Sequence, residues 1–131
     1  MYRAAGVLAW LAGLGFGLPG VYGLWYFTEH DTVWTFMDFP TYGDGPFEDI
    51  GISTSVPLLA GFVAVCAAEL VIGVLLWAGT PRAWWLSLVL LPAELFYWIG
   101  FALPIGLLLG LARAAVVIAA RTTARADPSR P

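Results

Sequence analysis

Lysine, asparagine and glutamine do not occur in this chain of 131 residues, and cysteine and histidine occur once each. The lone Cys66 excludes an intramolecular disulfide, a CxxC pair and a cysteine metal site. Quinone-linked thiol chemistry of the kind that needs two cysteines is excluded within one chain for the same reason. The single histidine, His30, falls in a loop region, so no Ser/His/Asp set can form. No P-loop, and no GxGxxG leading into a suitable helix, is present either. Charge is equally scarce. Only 11% of residues are charged and 60% are hydrophobic, whereas a soluble domain carries about 25% charge. With a mean hydropathy of +0.83, the main solvent of this chain is lipid rather than water.

The few charges are segregated. Six of the nine acids lie between Glu29 and Asp49, a stretch without arginine, and four of the six arginines lie from Arg113 onward. No basic surface exists to neutralise a phosphate backbone, which excludes nucleic acid as a partner. An all-arginine set of basic residues, with abundant Ala, Gly and Pro, points to a high-GC bacterial genome and so to a bacterial cytoplasmic membrane. At this length the chain is one domain at most.

Residues 4–28 carry no formal charge. They exceed the roughly 20 residues that cross a hydrocarbon core, and they are too long, and lack the cleavage site, for a signal peptide. Gly13 and Gly17 form a GxxxG pair suited to close packing within the bundle, and Pro19 predicts a kink in the outer half. Residues 29–56 form one long acidic loop that also holds Trp34, Phe36, Phe39, Tyr42 and Phe47, the composition of a cover folded over the bundle mouth. Within it, 32–39 is expected to lie along the interface and Tyr42-Gly43-Asp44-Gly45-Pro46 to turn. Ser55 reads as an N-cap and Pro57 as a first-turn proline, opening a second span over 57–78. Gly79-Thr80-Pro81-Arg82 then turns the chain. Residues 83–120 contain only two charged residues, Glu94 and Arg113. One helix of that length would measure about 57 Å, so the segment divides into spans 83–101 and 104–120 around Pro104. Residues 121–131 form a polar tail, expected to be disordered.

The fold class is therefore all-α, an integral membrane four-helix bundle over 1–120 with one long acidic and aromatic external loop. Arg3, Arg82, Arg121, Arg125 and Arg130 fall on one side of a four-span chain and the acidic loop on the other. The positive-inside bias then places the N-terminus and C-terminus in the cytoplasm. A three-span chain would strand the basic tail outside. Trp77, Trp84 and Trp85 are expected at the inner interface, and Trp25, Tyr26 and Trp98 at the outer one.

A charged side chain at mid-membrane costs about 2.5–3.5 kcal/mol on insertion scales and is a functional candidate by default. Three residues qualify. Counted at 1.5 Å per residue, Glu69 lies roughly 18 Å, Arg113 roughly 13 Å and Glu94 roughly 12 Å below the outer surface of a 30 Å core. Helical spacing gathers Phe62, Cys66, Glu69 and Gly73 on one face, Ser87, Leu91, Glu94 and Trp98 on a second, and Gly106, Gly110, Arg113 and Val117 on a third. Turned inward, these faces make one polar cluster, in which Arg113 is expected to pair chiefly with Glu94, nearly level with it on a tight hairpin. The plain role of such a pair is to fix helix register. One arginine cannot neutralise two carboxylates, so the second Glu carries a proton or meets a ligand. The candidate ligand or proton site comprises Glu69, Glu94 and Arg113, with Cys66, Tyr97 and Trp98 beside them. No catalytic residue, cofactor or metal is assigned. Glu29-His30-Asp31 are adjacent and do not face one point on a regular element, so they read as a solvated helix end.

The run Cys66-Ala67-Ala68-Glu69-Leu70-Val71-Ile72-Gly73-Val74-Leu75-Leu76-Trp77-Ala78-Gly79-Thr80-Pro81-Arg82 resembles the second-helix signature of DoxX-like membrane proteins. That signature is Glu-Leu-x-x-Gly, an apolar stretch, a Gly and a short turn bearing an Arg. The four-helix layout and the long first loop extend the likeness over residues 1–120. It implies a four-helix membrane fold; Glu94, Arg113, the first helix and the acidic loop lie outside the pattern. Family links to quinone-coupled sulfur oxidation or redox-stress complexes do not transfer as an activity. The EXPERA group of sterol isomerases and sterol-binding relatives is similar in having four helices and intramembrane carboxylates, but the isomerases' histidine has no counterpart in these helices. Small multidrug exporters carry their essential Glu in the first helix, which here is uncharged.

These readings describe a non-enzymatic, accessory or ligand-binding small membrane protein. The alternatives are a lipid- or quinone-binding protein or oxidoreductase subunit, and an oligomeric proton-coupled transporter. The partners implied are membrane lipid, a quinone or other apolar ligand, and a partner membrane subunit or second copy. A cavity reaching Glu69 or Glu94 would favour ligand or proton handling, and a filled bundle centre a structural role. Four spans also predict that single cysteines at Asp44 and Ser129, in a Cys66→Ala background, react with impermeant reagents from opposite sides of the membrane. Labelling of both from outside intact cells would rule the topology out.

Overall fold

Each apolar run of the sequence becomes a helix, and short polar segments end them. In the computed structural model, which describes residues 1–36, 39–43, 45–127 and 129, α1 spans Tyr2–His30, α2 Pro46–Asp49, α3 Val56–Trp77, α4 Ala83–Gly100 and α5 Pro104–Ala126. Asp44, Arg130 and part of the 32–39 segment lie outside the described residues. Helices α1, α3, α4 and α5 are long and apolar enough to cross a membrane, so the chain is a multi-pass membrane protein.

The helix ends follow local chemistry. Ser55 caps α3, its Oγ accepting the Leu58 N–H at 3.3 Å, with a proline in the first turn. Beyond Trp77, Gly79 adopts φ 72°, and the Gly79 and Thr80 N–H groups donate back to the Leu76 and Leu75 carbonyls at 3.2 and 3.0 Å. This is a Schellman turn, in which glycine meets the left-handed requirement without strain. The α4–α5 connection repeats the pattern with Ala102 at φ 54° and N–H bonds from Ala102 and Leu103 to Ile99 and Trp98. Pro104 then opens α5 at a position where its missing N–H is harmless.

The four spans form a closed ring. α1 packs against α3 and α5, α3 against α4, and α4 against α5. Facing residues run in opposite order along each pair, so all neighbours are antiparallel. The α1–α3 contact is made by small residues: an added Cβ at Gly6 would lie 2.9 Å from the Gly73 carbonyl oxygen, and one at Gly13 2.9 Å from that of Cys66. Ala5, Ala9 and Ala12 continue the buried stripe. Close backbone approach of this kind drives helix association where lipid removes the hydrophobic incentive. The GxxxG pair is thus occupied within the bundle.

The long loop covers the end of the bundle opposite the arginines. Thr35–Phe36 (β1) pairs antiparallel with Phe39–Pro40 (β2), a hairpin where the sequence suggested an interfacial segment. Tyr42 and Phe47 are buried and enter a cluster with Phe62 and Phe101. Two further expectations are corrected. Trp98 is not an interfacial anchor but is 1% exposed, inside the bundle. The tail does not begin at residue 121 as disordered chain, because α5 continues to Ala126.

The α1–α3 contact yields a paired test. Gly13→Ala should lower stability by about 1–3 kcal/mol through overpacking, because the new methyl meets a backbone carbonyl. Gly15→Ala, which faces open space, should be neutral or slightly stabilising. Thermal unfolding of both proteins in one detergent checks the contrast.

Candidate functional site

Arg113 reaches the bundle centre because α5 presents small residues on the same face. Gly106 and Gly110 leave a slot for the Trp98 indole, whose ring atoms would lie 2.6 and 2.2 Å from Cβ atoms added there. Seating Trp98 fixes the register of α4 on α5, and one helical turn earlier in α4 stands Glu94. Its two carboxylate oxygens accept a forked pair of hydrogen bonds from Arg113, Nη1 to Oε1 at 2.7 Å and Nη2 to Oε2 at 2.5 Å. Two parallel charge-assisted bonds are the strongest arrangement available to this residue pair. Arg113 Nη1 also donates to Glu69 Oε1 of α3 at 3.4 Å, and Nη2 to the Ser87 carbonyl at 3.3 Å.

Arg113 is 1% exposed and Glu69, Ser87 and Glu94 not at all. The pairing preference expected from depth is the one the side chains make: a bidentate bond to Glu94 and a single, longer contact to Glu69. Among the described residues, three buried polar atoms in the cluster, Glu69 Oε2, Ser87 Oγ and Arg113 Nε, have no hydrogen-bond partner. Glu69 is therefore the carboxyl with spare capacity. Ser87 enters twice, through its carbonyl and its unpartnered hydroxyl; the sequence marked only its face.

The other candidates stand apart from the ion cluster. Cys66 is buried one turn from Glu69 and lines a groove of about 130 Å³ between α1 and α3, together with Gly13, Gly17 and Leu70. Tyr97 belongs to the aromatic layer, its ring 5.6 Å from Phe62 and 5.8 Å from Phe101. That layer also holds Tyr42, whose hydroxyl donates to the Phe16 carbonyl at 3.0 Å. Burial, and secondarily the nearby Cys66, pushes the Tyr42 phenol above its ordinary value, which favours its neutral, donating form. Among the described residues, neither Glu69, Glu94 nor Arg113 lines any of five surface cavities: at the α3–α4 turn, at Cys66, at Leu103, at Phe47 and at Thr54. Glu29, His30 and Asp31 sit exposed at the α1 terminus, with His30 stacked on Tyr26 at 4.2 Å. No group of three His, Cys, Asp or Glu side chains converges as a metal set among the described residues.

Comparison with protein-family models, with curated proteins and with solved structures finds no match to this chain.

Breaking a buried pair by removing one partner costs about 3–5 kcal/mol, since the other charge is left uncompensated. Arg113→Leu should therefore destabilise strongly, and adding Glu94→Gln should recover part of the loss. Glu94→Gln alone should cost more than Glu69→Gln, because it removes two short bonds rather than one long one. Chemical or thermal unfolding of the four variants, read as a double-mutant cycle, checks this order. Equal costs for the two glutamate variants would contradict the assignment.

Proposed function

We propose that this chain is a DoxX-like accessory membrane protein without catalytic activity, inserted in a bacterial cytoplasmic membrane with both termini and the arginine end facing the cytoplasm. The observation that carries this reading is the sealed bundle centre. Arg113 is committed to Glu94, Glu69 keeps only one longer contact to it, and neither carboxylate nor the guanidinium lines any of the five cavities described above. An enzyme or exporter built on these carboxylates needs such access.

The residues of the DoxX-like motif support the reading because each has a packing reason. Glu69 brings α3 to the shared arginine. Gly73 lets α1 close, an added Cβ there meeting the Trp10 ring at 2.4 Å and the Gly6 carbonyl oxygen at 3.1 Å. Gly79 supplies the left-handed turn, and Arg82 precedes α4. The orientation is supported by Arg3 lying 5.4 Å over Trp77 and Arg121 lying 4.7 Å over Trp84, so that these two interfacial tryptophans stand at the arginine end.

A ligand-binding reading has one observation in its favour, the lipid-side groove at Cys66, one turn from Glu69. At about 130 Å³ it falls below the roughly 300 Å³ at which small-molecule sites begin. It suits part of an acyl or isoprenoid chain rather than a quinone ring. Glu69→Gln separates the two readings. The accessory role predicts near-native thermal stability and an unchanged profile of co-purifying lipids and quinones, measured by mass spectrometry. Loss of one apolar molecule with stability intact would replace the accessory role with a ligand-binding one.

A further inference from the structure

The arginine end holds a feature that the buried cluster does not use. A cavity of about 210 Å³ opens between the α3–α4 turn and the last turns of α5, and its lining includes Tyr2, Thr80, Ala83, Trp84 and Arg121. One water needs only about 10–15 Å³ of such space, so a group several times larger fits. The Arg121 guanidinium carbon lies 4.7 Å from the centroid of the Trp84 ring, a cation–π contact. Among the described residues, its Nε is buried without a hydrogen-bond partner and it takes part in no ion pair.

That arrangement lacks an acceptor. Arginine cannot shed its charge, and a buried donor without a partner keeps its full desolvation penalty. Nothing in the lining supplies the missing negative charge, for it contains no acid. Ala83 and Trp84 open α4 at the cavity wall, and this helix has neither a side-chain cap nor an acid in its first turn. The positive end of the helix dipole is thus also uncompensated. Arg3, Arg82 and Arg125 stand exposed at the same end and reinforce the field. Tyr2 and Thr80 add hydroxyl groups. The complementary ligand is an anion with several acceptor oxygens and no cation attached.

We propose that this cavity binds a phosphate group, held by Arg121 with the hydroxyls of Tyr2 and Thr80. The phosphate comes either from an anionic phospholipid headgroup or from soluble inorganic phosphate. A zwitterionic headgroup is disfavoured because its choline would face the arginines. The inference does not depend on the accessory role, since it concerns the opposite end of α3 from the acidic loop and none of the buried carboxylates.

The test uses the full chain in neutral detergent, with Arg121→Gln and Arg125→Gln as matched losses of one charge on the same helix, only the first at the cavity. Binding of phosphatidylglycerol and of phosphatidylcholine is measured by native mass spectrometry, and inorganic phosphate is titrated against the thermal midpoint. Arg125→Gln should weaken phosphatidylglycerol by about fivefold at most, the effect of one surface charge. Arg121→Gln should weaken it by about tenfold or more, the loss of charge-assisted hydrogen bonds. Phosphatidylglycerol binding that inorganic phosphate leaves untouched identifies the lipid as the source. A midpoint raised by inorganic phosphate in wild type but not in Arg121→Gln identifies the free anion. Equal weakening by the two variants would overturn the site, leaving only a diffuse basic surface, and so would equal retention of the two lipids with no response to phosphate. If Arg121→Gln fails to fold, Arg121→Lys replaces it: the charge is kept and the Nε donor is lost. Binding by that variant equal to wild type would overturn the proposal, and weakening by several-fold supports it.

Discussion

A guanidinium that cannot lose its charge, placed in the middle of an apolar bundle, must be met by carboxylates, and that requirement organises this protein. Arg113 draws Glu94 from α4 and Glu69 from α3 to one point, and takes the Ser87 carbonyl as well. Helices in lipid gain little from the hydrophobic effect on association. Three of the four spans are therefore registered by one side chain and its acceptors. Trp98, seated in the slot left by Gly106 and Gly110, sets the depth at which the fork closes.

The fourth span is held differently. α1 brings no charge to the cluster and contributes a stripe of alanines and glycines that lets its backbone approach α3. Above the cluster, Tyr42 and Phe47 fold back from the loop onto Phe62 and Phe101, and the Tyr42 hydroxyl reaches into α1 at Phe16. This layer closes the loop end with aromatic rings. Its effect is electrostatic as much as steric, because excluding water keeps the local dielectric low and the Arg113–Glu94 attraction correspondingly large.

Much of this was legible in residue spacing. The period of an α-helix placed Phe62, Cys66, Glu69 and Gly73, and likewise Ser87, Leu91, Glu94 and Trp98, on single faces, and all of them are buried except Leu91, which is half-buried. Counting residues from the span ends brought Arg113 level with Glu94. Trp98 was misread because a tryptophan near a span end normally anchors at the interface. The signal against that lay in the next helix, where Gly106 and Gly110 sit four apart as a ready slot. The length of α5 was underestimated for a different reason. Residues 121–126 are polar, but Thr122 and Thr123 both return their hydroxyls to the Ala119 carbonyl at 2.9 Å, and alanine and arginine favour helix whatever the solvent. The β1–β2 hairpin has only two residues per strand and leaves no periodic trace.

The order of the cluster along the chain bears on its biosynthesis. Translation delivers Glu69 first, Glu94 next and Arg113 last. A carboxylic acid entering the bilayer alone can do so with its proton on, as a neutral group, and release that proton later. A guanidinium has no neutral form to fall back on. Had the arginine preceded its partners, a permanent cation would have waited in hydrocarbon while the ribosome caught up. In the order observed, the group that cannot hide its charge is the last to arrive, and its acceptors are already in place.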